Sequence, residues 1–141
     1  MKKVAFTLLT VFLVSCSSSI KPLQSNALFE VLTQQTNGGA SIRFFEILSE
    51  SKEIAMLQND EKLKNKIHPN DIQTSNFVVL NMGEKATGGY KIGVENVEET
   101  DKNIIITVKE TNPEPNAMVS QVVSYPYCIV KINSKKEIII K

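Results

Sequence analysis

Histidine occurs once in this chain, cysteine twice, and neither sign of charge dominates, with 16 basic against 15 acidic side chains in 141 residues. Each scarcity narrows the range of function. Zinc sites usually draw on several His or Cys ligands, so a histidine-based metal site is not expected. The lone His68, beside Pro69 in a predicted loop, reads as a solvated turn residue rather than a base or ligand. Without a basic excess there is no polybasic face for nucleic acid. Glu98, Glu99 and Asp101 lack the ligand spacing of a calcium loop and read as a solvated hairpin turn. The apolar stretch Val4 to Val14, interrupted only by Thr7 and Thr10, is 11 residues, whereas a membrane-spanning helix needs about 20. There is no internal repeat and no alternation of strands with several helices, so βαβ folds are not expected. No constellation amounts to a catalytic site, and no cofactor is implied.

What is present begins at the N-terminus. Lys2 and Lys3 precede the apolar run, the layout of an export signal. Its end, Leu13-Val14-Ser15-Cys16, resembles a bacterial lipobox; a plain secretory peptide that ends near a cysteine is the alternative. The resemblance implies cleavage before Cys16, diacylglycerol on its sulfur and acylation of the new amino group. Several chains on one residue suffice for stable anchoring, since each buried methylene contributes about 0.8 kcal/mol. The expected location is the cell envelope, at the outer membrane facing the periplasm or the cell surface. Cleavage leaves 126 residues, enough for one self-sufficient domain. Loss of Lys2 and Lys3 takes the 16 basic side chains to 14, for a formal charge of −1. With Cys16 lipidated, Cys128 alone cannot close an intramolecular disulfide. Its apolar strand context, with only Lys131 nearby, marks a buried inert thiol rather than a nucleophile. The expected organisation is a cleaved signal at 1–15, lipidated cysteine and flexible tether at 16–26, and a β-rich domain at 27–141.

Within that domain, Phe29 and Val31 alternate with Glu30, and Asn37-Gly38-Gly39 supplies turn residues, which predicts a hairpin. Its second arm, Ser41 to Leu48, carries apolar groups on both faces and reads as a central strand. Glu50 to Ile67 is the one predicted helix, with acidic residues at its start, lysines at its end, and Met56, Leu63 and Ile67 on one face. Ile54 and Leu57 fall off that stripe, so the apolar face is broad or the helix shorter. His68-Pro69 ends it. Further strands are predicted at Phe77–Met82, Tyr90–Val94, Ile104–Val108, Val119–Ser124, Cys128–Ile132 and Ile138–Ile140. The fold class is α+β: mainly an antiparallel β-sheet or partly closed barrel, with one helix covering an opening.

Two segments stand out. In Gly83 to Tyr90 (GEKATGGY) glycines allow close backbone approach, and Tyr90 follows at once. In Tyr125-Pro126-Tyr127 a proline between two aromatics is a place where stacking favours a cis bond. Both are turns by composition, and both also suit a recognition edge, since tyrosines offer rigid amphipathic contact surface. Thr87, Gly88, Gly89, Tyr90, Tyr125, Pro126 and Tyr127 are the candidate partner-binding residues.

The series Gly83 to Ile92, then Pro113 to Pro115, then Val119 to Tyr127 and Val130-Lys131-Ile132 resembles the C-terminal domain of the protease complex subunit PrcB, over roughly residues 49–141. Ala86 stands where the family has proline, and Asn116 where it has glycine. The Thr-Gly-aromatic turn is also similar to that of chagasin-type cysteine protease inhibitors, without their other signature loops. The resemblance implies a non-catalytic lipoprotein that associates with, matures or stabilises a secreted protease. A structural envelope lipoprotein without a dedicated protease partner is the alternative, and an enzyme the third.

Overall fold

Asn76–Asn81 (NFVVLN) is apolar on both faces, and a strand of that kind gains most in the interior of a sheet. The computed structural model, which describes residues 27–141, places it there as β3. The expected export signal, lipidated Cys16 and tether lie outside the described residues. On one side β3 pairs antiparallel with β6 (Tyr127–Ile132), from Asn76 opposite Ile132 to Asn81 opposite Tyr127. On its other side it pairs with β2 (Phe44–Leu48), and β6 pairs outward with β1 (Phe29–Gln35), giving the order β1-β6-β3-β2. A second sheet holds β4 (Lys91–Glu99), β5 (Asn103–Thr111) and β7 (Glu137–Ile140) in that order, β4 and β5 antiparallel and β7 parallel to β5. Two short helices, α1 (Ser51–Gln58) and α2 (Asp71–Thr74), complete a mainly β, α+β fold in two sheets, with no closed barrel.

Side chains alternate across a strand, so β3 and β6 serve two cores. Val78, Leu80, Cys128, Val130 and Ile132 face the second sheet and pack with Ile92, Ile104, Ile106 and Ile138. Phe77 and Ile129 face the opposite way, with Leu32 and Leu48, and meet Ile54, Leu63 and Ile67. Each fully buried Val, Leu, Ile or Phe side chain contributes about 1.5–3 kcal/mol, and no other pair of adjacent strands buries as many as the central pair. The β1–β6 register shifts between Val31 and Thr33, a bulge that leaves Leu32 unpaired and buried in the helix-side core. Lys131, largely buried, holds Glu30 at 3.1 Å and Asp71 at 3.6 Å and so ties α2 to the sheet.

Four sequence expectations are corrected. The 29–48 hairpin does not form: β1 and β2 are opposite edges of their sheet, separated by β6 and β3. Gly38 does adopt the positive φ of a turn (+109°), but the backbone of 36–43 bonds across the ends of other strands instead of zipping with itself. The second arm is consequently an edge, with Ile42, Phe44 and Ile47 exposed and only Phe45 and Leu48 turned toward the two cores. The helix stops at Gln58. Asp60 Oδ1 accepts the Lys62 N–H at 2.8 Å and the Asp60 carbonyl accepts from Leu63 and Lys64, so side-chain competition turns 59–66 into successive turns. Ile54, off the expected stripe, is the fully buried helix residue, while Met56 is 70% exposed. Finally, Val119–Ser124 is not a strand; only an isolated bridge joins Ser124 to Lys85.

Candidate functional site

The register of the two sheets brings the ends of β1, β3 and β5 and the beginnings of β2, β4 and β6 to one pole of the domain. Three loops leave from there. Residues 36–43 cross the ends of β6 and β3, residues 82–90 pass from the first sheet to the second, and residues 112–126 return.

Loop backbones outside sheets carry polar groups that need partners, and here they find them in one another. Lys85 and Ser124 exchange two main-chain bonds of 2.9 Å, and the Gly88 N–H donates to the Ser120 carbonyl at 2.8 Å. Gly39 N–H donates to the Tyr125 carbonyl (3.0 Å), Tyr125 N–H to Thr36 (3.1 Å), Glu84 N–H to Ser41 (3.0 Å) and Met82 N–H to Pro126 (2.9 Å). Two buried polar side chains complete the lock. Asn81 at the end of β3 receives the Ala40 N–H on Oδ1 at 2.9 Å and donates Nδ2 to the carbonyls of Ala40 (2.9 Å) and Ile42 (2.6 Å). Ser124 Oγ donates to the Thr87 carbonyl at 2.7 Å.

The candidate residues divide within this arrangement. Thr87 is half-buried, its Oγ1 donating to the Gly88 carbonyl at 3.1 Å. Gly88 and Gly89 lie against the 112–126 loop. Gly89 has φ +90°, and a Cβ there would sit 2.8 Å from Pro113 Cβ and 2.9 Å from Val119 Cγ1, so only glycine fits this approach. Tyr125 is half-buried and donates its hydroxyl to Glu84 Oε2 at 2.9 Å. That bond to a carboxylate, with some burial and the Glu84 charge, raises the phenol above its ordinary pKa. Pro126 is buried, and every peptide bond among the described residues is trans, the Tyr125–Pro126 bond included. Tyr90 packs against the inter-sheet core, with Lys85 Nζ 5.6 Å from its ring centre. Tyr127 lies in β6, packs against the helix-side core and backs onto Gly38. The structure thus joins Thr87, Gly88, Gly89 and Tyr125 at one surface and turns Tyr90 and Tyr127 inward.

Sequence reasoning missed the two locking residues and the apolar tip of the third loop. Met118 is fully exposed, Val122 is 65% and Val123 42% exposed. Met118 and Val122 line, with Gly88, Gly89, Thr36 and Asn37, a shallow cleft of about 320 Å³. The signal was present in Met118, just before the predicted strand Val119–Ser124, and in Val122-Val123 within it, because strand patterning and an exposed apolar loop look alike in sequence.

Elsewhere, Cys128 is fully buried and desolvation pushes its thiol up to about 11, so it is inert at neutral pH. His68 sits in an exposed turn where its N–H donates to Asp71 Oδ2 at 2.8 Å. Among the described residues no group of three His, Cys, Asp or Glu side chains is placed to hold a metal ion, and no helix is long and apolar enough to cross a membrane.

Neither a curated protein nor a solved structure matches the chain. A family model does. The model described as PrcB C-terminal matches residues 76–133, from the first residue of β3 to just past the end of β6. The match is narrower than the 49–141 resemblance; it takes in the 82–90 and 112–126 loops and omits both helices and the 36–43 loop. On that match, the segment that builds the central strand pair and two of the three pole loops is similar to the PrcB C-terminal family.

Proposed function

We propose that this chain is a non-catalytic envelope lipoprotein, anchored through Cys16, that binds a protein partner through the three-loop pole as an accessory subunit or regulator of a secreted protease. The observation that carries the reading is the pole itself. Loops are where a rigid scaffold presents function, and these are bonded main chain to main chain across three separated parts of the sequence. A surface ordered beforehand loses little conformational freedom on association. It offers exposed Met118, Val122 and Val123 beside accessible glycine backbone, the combination that an apolar partner patch can bury. The two loops with these features fall inside the PrcB C-terminal match, and similarity to that family suggests association with a protease complex.

The test is crosslinking in intact cells followed by mass spectrometry, with wild type, Met118→Asp and Val122→Asp compared. Because both side chains are solvent-exposed, melting should stay within about 2 °C of wild type while capture of a hydrolase falls about tenfold. Cys16→Ser should release the protein from the membrane fraction or leave it unprocessed. Capture that is indifferent to both loop variants, or that never contains a hydrolase, would return the chain to a structural envelope role.

A further inference from the structure

The helical layer covers only part of the four-stranded sheet. The helix ends at Gln58, and beside its last turn the helix-side face of the sheet presents Phe44 and Val79, with Tyr127 and Ile129 next to them. Two adjoining hollows lie there, of about 430 and 320 Å³, sharing Leu57, Asp60 and Val79. The first has Leu48, Leu57, Val79 and the exposed Met56 as its apolar lining. Its charged lining is of one sign, Glu46, Glu53 and Asp60, and the second hollow adds Lys62 as its only cation. Glu53 Oε2 is engaged by the Ser49 and Glu50 N–H groups at 3.1 Å, which fixes that carboxylate beside the groove without neutralising it.

We infer that this groove is a second docking surface, for an amphipathic segment of a protein partner whose apolar side chains fill the two hollows and whose flanks are basic. An apolar floor gives such a segment its burial; a rim of one sign selects the flanking charge and repels acidic sequences. The position beside α1 is one that a helix occupies in helix-on-sheet packing. The second hollow is also lined by Gly38 to Ala40 of the 36–43 loop, but no residue of the 112–126 loop lines either hollow, and the Glu46 and Asp60 variants are distinct from those that test the pole.

The test uses the full chain and two synthetic helical peptides, one of Leu and Lys and one with Glu in place of Lys, titrated by fluorescence anisotropy. The Leu/Lys peptide should bind saturably, at least about tenfold more tightly than the Leu/Glu peptide, and weaken with added salt. Glu46→Lys with Asp60→Asn, which keeps a side-chain oxygen for the Lys62 N–H, should abolish the preference, while Met118→Asp leaves it unchanged. Both acidic residues are exposed, and the milder Glu46→Gln with Asp60→Asn pair replaces it should melting show the first pair to be unfolded. Equal binding of the two peptides, or a preference that survives loss of the acidic pair, overturns the proposal.

Discussion

Asn81 is the residue on which the geometry of the pole depends most directly, and Asn81→Ala is the sharpest perturbation of it. The side chain is 1% exposed and makes three hydrogen bonds to the 36–43 loop. At about 1 kcal/mol net for each neutral bond, the three together contribute about 3 kcal/mol. Ala40 and Ile42 are exposed, so their freed backbone groups recover part of that from water. The expected loss is about 1.5–3 kcal/mol. An unfolding entropy of about 2.1 cal/mol/K per residue over residues 27–141 gives about 0.24 kcal/mol/K, and hence a fall in melting temperature of about 6–12 °C. Asn81→Asp should be worse than Ala at neutral pH. It keeps an acceptor for the Ala40 N–H but turns a carboxylate oxygen toward two carbonyl oxygens. Thermal unfolding followed by circular dichroism measures the loss, and hydrogen exchange localises it, because the Ala40 amide should lose protection while β3 amides keep theirs. A drop below about 2 °C, with Ala40 still protected, would refute the view that Asn81 holds this loop.

Gly89→Ala should cost about 2–4 kcal/mol, from a left-handed backbone at φ +90° together with overlap on Pro113 and Val119; a melting temperature within about 2 °C of wild type would contradict it. Native Cys128, in the Cys16→Ser protein, should react with thiol reagents at pH 8 orders of magnitude more slowly than after denaturation. Because its folded pKa is raised from 9.0 to about 11, the unfolded thiol ionises first, and stability should be intact below pH 9 and fall as pH rises from there through about 11. Glu84→Gln should lower the Tyr125 phenol pKa, since it removes the charged acceptor and its field together; an unchanged phenolate absorbance titration would show that the Tyr125–Glu84 bond does not form in solution.

What could be read from sequence followed the range over which each signal acts. The buried run Phe77–Met82, the alternation in Tyr90–Val94 and Ile104–Val108, and the polar turn between the last two all report local pairing, and all three strands formed. The Thr87–Gly89 turn was visible because glycine at a left-handed position leaves a compositional mark. Pairing between distant segments leaves none. Asn37-Gly38-Gly39 satisfies hairpin chemistry in full, yet β6, some 90 residues later, occupies the place beside β1 that a hairpin partner would take. Asn81 was illegible for the same reason. It falls inside the predicted strand Phe77–Met82 as one polar residue in an apolar run, and only the arrival of the 36–43 loop gives it three bonds to make. Helix length failed through Asp60, whose short carboxylate captured the Lys62 amide against the periodic pattern around it.

β6 is the strand that both sheet neighbours await, since Tyr127 stands opposite Gln35 on one side and Asn81 on the other. The chain between Gln35 and Tyr127 must therefore be threaded before the four-stranded sheet has an interior, and contacts of such sequence separation form slowly. The loop that carries Met118 and Val122 runs directly into that strand. The pole is consequently incomplete in any partial structure: until β6 is seated, Ser120 and Ser124 have no fixed neighbours, and of the bonds that lock the loops only those of Glu84 to Ser41 and of Asn81 to Ala40 and Ile42 can form without it. A partner that recognises the pole would be reading completion of the fold as well as its chemistry, so that chains arrested short of the native state are passed over without any separate inspection.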